Sequence, residues 1–241
     1  MTIQTTPLKP VIYLLPGLLC DETVWQAQQQ TLEEDFDVRI PSFRGFSSFK
    51  KMAEHVLKDS PDKFSIAAHS MGARVALELL KLCPERIDKV VLMSLGSHPV
   101  QEGEAQKRMV LVDLAEQQGM EALAKVWILP MLNPARHKDE ELIENIRTMI
   151  LRSSASDYRG QIEAALNRAN QWNYLEKITQ EVLLICGEQD SWSPVEQHEA
   201  ILAQLPKAQL EVVANAGHMV TMEQPLVVSA ILKDWLTCNP A

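Results

Sequence analysis

The chain of 241 residues carries 32 acidic and 23 basic side chains, and its formal net charge of −9 argues against a nucleic-acid partner, because such proteins cluster Lys and Arg against phosphates. Hydrophobic residues make up 46% of the chain and charged residues 23%, values typical of a globular rather than a disordered protein. No apolar run approaches the roughly 18 residues of a membrane span. We therefore expect a soluble protein with no membrane partner.

Two further features concern the cellular compartment. Residues 1–10 lack the basic head and the apolar core of a secretory signal, which favours a cytoplasmic location. The four cysteines stand singly, without a C-x-x-C pair, so we expect reduced thiols and no structural zinc site. They are Cys20, Cys83, Cys186 and Cys238.

Short apolar runs rich in β-branched residues alternate with longer helical patterns along most of the chain. This alternation predicts an α/β protein with a mostly parallel central sheet of about six strands and helices on both faces. The predicted strands are residues 11–15, 38–40, 64–67, 90–95, 182–186 and 210–213.

The helix after the third strand shows Val75, Leu79 and Leu82 at helical spacing, which predicts one apolar face. Pro84 is expected to end this helix, and Pro225 to begin the last one, where a missing N–H costs little.

The alternation is interrupted in one long stretch, where only helical patterns occur. These patterns cover residues 101–118, 120–128, 139–153 and 156–168. We therefore predict an all-helical insertion, or lid, over residues 98–175, and a core formed by residues 1–97 and 176–241.

The most informative short segment is Ala68-His69-Ser70-Met71-Gly72, which follows the third strand and opens a helix. A serine in a sharp strand-to-helix turn, a nucleophile elbow, needs small neighbours because the two backbones nearly touch. Ala68, Gly72 and Ala73 meet this requirement. The segment predicts that Ser70 stands exposed above the sheet as a nucleophile.

A serine nucleophile needs a base and an acid that orients the base. Asp190 and His218 each follow a later predicted strand, and the order Ser, Asp, His is that of the α/β-hydrolases rather than of chymotrypsin or subtilisin. Glu188 competes with Asp190, but the spacing from Gly187 favours Asp190. Candidate oxyanion donors are the backbone N–H groups of Leu18 and Met71.

Taken in this order, the motifs resemble those of α/β-hydrolase fold proteins, and the chain is similar to small bacterial esterases with a helical cap. Ala68 stands where the first glycine of G-x-S-x-G is usual, and Pro16 where a histidine is common. The resemblance is carried by Leu15-Pro16-Gly17-Leu18, Arg44-Gly45, Ala68-His69-Ser70-Met71-Gly72, Gly187-Glu188-Gln189-Asp190 with Pro194, Gly217-His218 and Glu223-Gln224-Pro225.

Several apolar side chains are candidates for an acyl pocket, since ligand sites are mostly apolar, although core packing explains each of them equally well. They are Trp127, Met131 and Trp172 in the insertion, and Met219 beside the histidine. Cys20 is an alternative nucleophile, but no cysteine-centred motif surrounds it. The other histidines are expected to be structural, and His69 to pack beside the site.

These observations predict a serine hydrolase that cleaves a carboxylic ester or a related acyl compound through an acyl-enzyme, with a small-molecule acyl substrate and without a metal or organic cofactor. A thioesterase, a lactonase and a carbon–carbon hydrolase or lyase of the same fold remain alternatives, because they use the same three residues. A non-catalytic binding or receptor protein is the alternative from another class, since fold does not imply function. The oligomeric state is left open.

Overall fold

The computed structural model describes residues 9–238. Their centre is one six-stranded sheet in which every neighbouring pair of strands is parallel. The strands are β1 (Val11–Leu15), β2 (Asp37–Arg39), β3 (Phe64–His69), β4 (Ile87–Met93), β5 (Glu181–Gly187) and β6 (Ala208–Val213), in the order β2-β1-β3-β4-β5-β6. The predicted six-stranded α/β sheet is confirmed, whereas most of residues 1–10, used above for the compartment, lie outside the described part.

The strand ends differ from the predictions for local reasons. β4 begins at Ile87, which pairs with Phe64, and Lys89 pairs with Glu181, although the exposed Asp88 and the half-buried Lys89 break the apolar run. It ends at Met93, since Ser94 has a positive φ of 50° that leaves the extended region. β3 continues through His69, directly up to the serine.

The described residues contain ten α-helices. They are α1 (Gln26–Leu32), α2 (Phe49–Leu57), α3 (Met71–Leu82), α4 (Glu104–Gln118), α5 (Met120–Trp127), α6 (Glu140–Leu151), α7 (Ala155–Leu166), α8 (Val195–Leu202), α9 (Val220–Glu223) and α10 (Pro225–Thr237). Pro84 follows the end of α3 and Pro225 begins α10, as predicted. Val75 and Leu79 are fully buried, but Leu82 at the end of α3 is 42% exposed.

Both faces of the sheet are covered, as expected of a parallel sheet. Alternate β1 residues point to opposite sides, so that Ile12 and Leu14 pack in one apolar cluster while Tyr13 and Leu15 pack in the other. The first cluster includes residues of α1, α10 and α4 to α7, and the second residues of α2, α3 and α8.

The chain between β4 and β5 consists of α4 to α7 joined by turns and short 3-10 helices, with no strand among these described residues. Three contacts tie this segment to the loops at the carboxyl ends of β1 and β2. Gln161 Oε1 accepts from Leu19 N at 2.8 Å, Asp157 Oδ1 accepts from Gly45 N at 2.8 Å, and Arg152 Nε donates to Asp21 at 2.7 Å. The helical segment therefore lies beside the edge of the sheet where the predicted site residues emerge.

Two observations concern other sequence-based predictions. None of the helices in residues 9–238 combines the length and apolar character needed to cross a bilayer. All four cysteines have free thiols.

Candidate active site

Ser70 occupies a strained turn between β3 and α3. Its φ of 53° and ψ of −113° lie where residues other than glycine are rare, and its N–H is held by Met93 O of β4 at 2.8 Å. A Cβ atom on Gly72 would stand 2.3 Å from the carbonyl oxygen of Leu15. Helix α3 can therefore start this close to β1 only because Gly72 has no side chain.

The turn brings Ser70 to His218 from a distant part of the sequence. Ser70 Oγ lies 2.8 Å from His218 Nε2, and His218 Nδ1 lies 2.9 Å and 3.1 Å from the two carboxylate oxygens of Asp190. Ser70 is half-buried, whereas the side chains of His218 and Asp190 are 5% and 0% exposed. The three predicted side chains thus form one continuous chain of hydrogen bonds.

Asp190 is fixed by the loop after β5. Its Oδ1 accepts hydrogen bonds from the backbone N–H groups of Trp192 and Ser193, each at 2.9 Å. Burial alone would raise the pKa of Asp190, but His218 and the Ser193 N–H outweigh it and lower that pKa to about 2. Glu188 is exposed and its carboxylate accepts from Gln189. The geometry favours Asp190 over Glu188 as the partner of the histidine.

The loop that carries His218 is anchored by a buried carboxylate. The Glu223 carboxylate accepts hydrogen bonds from Gly217 N and Asn133 N, each at 2.8 Å, and His218 N donates a hydrogen bond to Met131 O at 2.7 Å. A Cβ on Gly217 would approach Asn133 N to 2.6 Å. The histidine loop is therefore clamped against the segment that follows α5, through a glutamate that sequence analysis noted only as part of a motif.

His69 supports the same loop from the other side. Its ring is 1% exposed, and Nε2 lies 2.8 Å from His218 O. Because a carbonyl only accepts, Nε2 carries the proton and Nδ1 does not. Burial and the neighbouring His218 lower the pKa of His69 to about 4, so the ring is neutral at pH 7. His69 thus packs beside the site, as predicted.

A cavity of about 550 Å³ opens in front of Ser70. Trp127, Met131 and Met219 line it, in agreement with their choice as pocket candidates. Trp172 is not among the lining residues, so its assignment to the pocket was wrong. Its segment is held along the outside of α3, where Tyr174 donates to Leu80 O at 2.7 Å, and the Trp172 side chain packs against the core cluster on that face.

The cavity has a polar end that sequence analysis missed. Arg74, His98 and Glu104 line it together with the exposed Lys107 and the half-buried Arg108. A usable signal existed for Arg74, because it lies four residues after Ser70 and thus about one helical turn along the same face of α3. The sequence offered no comparable signal for Glu104, Lys107 and Arg108 of α4.

Trp192 is a further lining residue that was missed. Its ring is 5.4 Å from that of His218 and 5.7 Å from that of Trp127, and 40% of the residue is exposed. An indole in this position shields the imidazole from solvent on one side.

The remaining predicted residues surround the serine. Leu18 and Met71 both line the cavity, and Met71 is the first residue of α3. Cys20 lines it too, but burial and the nearby Asp21 raise the pKa of its thiol to about 12, which makes it a poor nucleophile. Within residues 9–238, no group of three or more His, Cys, Asp or Glu side chains is placed to hold a metal ion.

Comparison with known proteins finds relatives that match most of this chain. A Bacillus subtilis protein named as a candidate 2-succinyl-6-hydroxy-2,4-cyclohexadiene-1-carboxylate synthase is 29% identical over 182 residues, which are 73% of this chain and 66% of that protein, or slightly less than two thirds of its length. A candidate esterase/lipase of Haemophilus influenzae is 27% identical, with 98% of this chain and 86% of that protein covered.

Solved structures show the same fold. A thermophilic esterase from Thermogutta terrifontis superposes with a TM-score of 0.85 at 24% identity, covering 96% of this chain and 90% of the esterase. The model of the alpha/beta hydrolase family matches residues 12–231, which is most of the chain and includes all three hydrogen-bonded residues. The chain therefore belongs to the alpha/beta hydrolase family, with esterase/lipase-like relatives.

Proposed function

We propose that this protein is a serine hydrolase that cleaves a carboxylic ester or a related acyl compound, with Ser70 as nucleophile, His218 as general base and acid, and Asp190 as the orienting carboxylate. The observation that carries the proposal is the 2.8 Å contact between Ser70 Oγ and His218 Nε2, backed by the 2.9 Å contact to Asp190. These distances lie within the range required for proton transfer.

The reaction follows from these positions. His218 Nε2 takes the hydroxyl proton while Ser70 Oγ attacks the acyl carbon, and the protonated imidazole then delivers that proton to the leaving alcohol. Water, deprotonated by His218, subsequently hydrolyses the acyl-enzyme. The N–H groups of Leu18 and Met71 are the proposed donors to the oxyanion in both halves, and one such donor typically supplies about 3 kcal/mol.

Asp190 gives the histidine its tautomer. Because its carboxylate accepts the proton on Nδ1, Nε2 is left as the acceptor that faces Ser70. The low pKa of Asp190 keeps the carboxylate charged throughout the ordinary pH range, so that it stabilises the imidazolium formed during the reaction.

The helical segment is proposed to act as a cap over the cavity. Trp127 and Met131 come from this segment, whereas Met219 comes from the histidine loop, so the acyl group would be enclosed between the two. A cavity of about 550 Å³ with an apolar part beside Ser70 suits a small-molecule substrate.

Labelling with a fluorophosphonate probe tests the nucleophile. The wild type should be labelled covalently and Ser70→Ala should not, while Ser191→Ala, which removes an exposed hydroxyl from the loop of Asp190, should be labelled as the wild type is. Equal labelling of the wild type and Ser70→Ala would remove Ser70 as nucleophile. No labelling of the folded wild type would favour a non-catalytic binding protein.

A substrate panel then separates the reaction classes. Short p-nitrophenyl esters, acyl thioesters, lactones and a carbon–carbon bond substrate are compared by kcat/KM with the wild type and with Ser70→Ala. Esters should give the highest kcat/KM of the four substrate classes. A clear preference for another class would overturn the assignment to esters while leaving the hydrolytic machinery in place.

A further inference from the structure

Arg74 is a buried cation that forms no salt bridge within the described residues. The residue is only 8% exposed, and its side chain lines the cavity. One terminal nitrogen, Nη2, donates to the backbone carbonyl of His98 at 3.3 Å, whereas Nη1 is buried and has no hydrogen-bond partner in the described part of the chain. Buried donors are nearly always paired, so an orphan guanidinium nitrogen beside a cavity indicates a missing partner.

The carboxylate of Glu104, which also lines the cavity, is already hydrogen-bonded to other groups. Glu104 receives two hydrogen bonds from Arg168, at 2.6 Å and 2.8 Å, one from Arg108 at 2.7 Å and one from Gln101 N at 3.0 Å. Arg168 further donates to the same His98 carbonyl as Arg74, at 3.1 Å. Two buried guanidinium groups therefore share one carbonyl, and the Glu104 carboxylate is hydrogen-bonded to Arg168 and Arg108 rather than to Arg74.

Charge burial of this kind is costly. Removing a guanidinium from water without a counter-ion is unfavourable, and the effect is visible in Arg74 itself: burial and the nearby Arg168 lower its pKa to about 9. Arg74 nevertheless remains a cation at pH 7. A carboxylate entering the cavity would supply both the absent charge and the absent acceptor, and guanidinium groups bind carboxylates strongly.

We propose that Arg74 forms a carboxylate subsite, so that the preferred substrate carries a free carboxylate in addition to the acyl group that Ser70 attacks. This inference rests on the proposed function and narrows its substrate class to anionic esters, such as monoesters of short dicarboxylic acids. Arg74 lies one helical turn beyond Ser70, which places the carboxylate a few carbon atoms from the scissile bond. The guanidinium of Arg74 is the proposed donor to it.

Matched pairs of esters test the subsite. The monomethyl and dimethyl esters of succinate, glutarate and adipate differ by one methyl group, which converts the free carboxylate into a neutral ester. Acetate esters of short hydroxy acids place the carboxylate on the alcohol side instead. We expect the wild type to favour the charged member of at least one pair. Arg74→Met should lower kcat/KM for that member by at least about thirtyfold, mainly through KM, and for the neutral member by less than about threefold.

Two further variants separate a specific site from general electrostatics. Lys81→Met removes a positive charge from the same helix α3, but Lys81 pairs with Glu78 and does not line the cavity, so it should leave the preference for the charged ester intact. Arg74→Lys keeps the positive charge and should retain part of the activity on the charged ester that Arg74→Met loses. Equal losses on both members of a pair, or a wild type indifferent to the charge in every pair, would overturn the proposal.

A binding measurement keeps the subsite separable from catalysis. Calorimetric titration of Ser70→Ala with glutarate should show binding, and the double variant Ser70→Ala/Arg74→Met should bind at least about thirtyfold more weakly. If the wild type hydrolyses no ester but this difference persists, the proposed function fails and the subsite stands. If esters are hydrolysed without any dependence on Arg74, the proposed function stands and the subsite fails. Replacing an unpaired buried charge with Met should leave the fold intact, which thermal unfolding checks.

Discussion

The neutral, buried imidazole of His69 should make the folded protein lose stability as the pH falls from about 6.5 towards about 4. In the unfolded chain the ring binds a proton near its ordinary pKa of 6.5, whereas in the folded protein burial lowers the pKa of His69 to about 4. Between these values the unfolded state holds more protons, so the free energy of unfolding falls as the pH falls. The contribution is fully present above pH 6.5 and is lost as the pH approaches 4.

The size of the effect follows from the two pKa values. Their difference corresponds to a limit of about 3 kcal/mol, of which about 2 kcal/mol is lost between about pH 7 and about pH 4.5. The carboxylate of Asp190 does not interfere in this window, because its pKa is lowered from 3.8 to about 2 and its contribution is lost only at more acidic pH. His98 and His198 also have pKa values lowered by burial, but they act equally in the wild type and in a His69 variant.

The assay is urea unfolding, followed by tryptophan fluorescence at about pH 7 and about pH 4.5. His69→Gln retains an amide donor for His218 O but does not ionise, so it should lose about 2 kcal/mol less than the wild type between the two pH values. His137→Gln, which removes an exposed imidazole, should behave as the wild type. The reasoning is refuted if the wild type and His69→Gln lose the same free energy over this interval.

Three further predictions concern the site. Gly72→Ala should destabilise the protein by at least about 2 kcal/mol in urea unfolding, because its Cβ would stand 2.3 Å from Leu15 O; an unchanged unfolding midpoint would contradict the close packing of α3 on β1. Asp190→Asn should lower kcat on the best ester by about 10⁴-fold, since the amide cannot hold the required tautomer of His218, and activity within tenfold of the wild type would show that the carboxylate is dispensable. Cys20→Ala should keep the wild-type kcat, and iodoacetamide should not inactivate the wild type at neutral pH, because burial raises the pKa of the Cys20 thiol to about 12. Rapid inactivation of the wild type that is abolished in Cys20→Ala would contradict this prediction.

Local sequence signals were sufficient for the architecture. The alternation of short β-branched runs with helical patterns predicted all six strands. The signal is clearest for β1 and β5, which are apolar along most of their length because both of their faces are buried. The small residues around Ser70 predicted its turn, since only a glycine at position 72 allows the approach to Leu15. The order of Ser70, Asp190 and His218 followed from strand ends that meet at one edge of a parallel sheet.

The sequence by itself thus determined the fold class and the choice of the three residues that follow β3, β5 and β6, because both depend on local patterns. Sequence spacing had already favoured Asp190 over Glu188, and the structure places the Asp190 carboxylate, rather than the exposed Glu188, against the histidine. Tertiary structure alone decided that Trp172 packs outside α3 while Trp192 covers His218, and that Arg74 forms no salt bridge within residues 9–238 while Arg168 binds Glu104. These outcomes depend on how helices distant in sequence pack over the sheet, and neither composition nor periodicity encodes which charged groups become neighbours there.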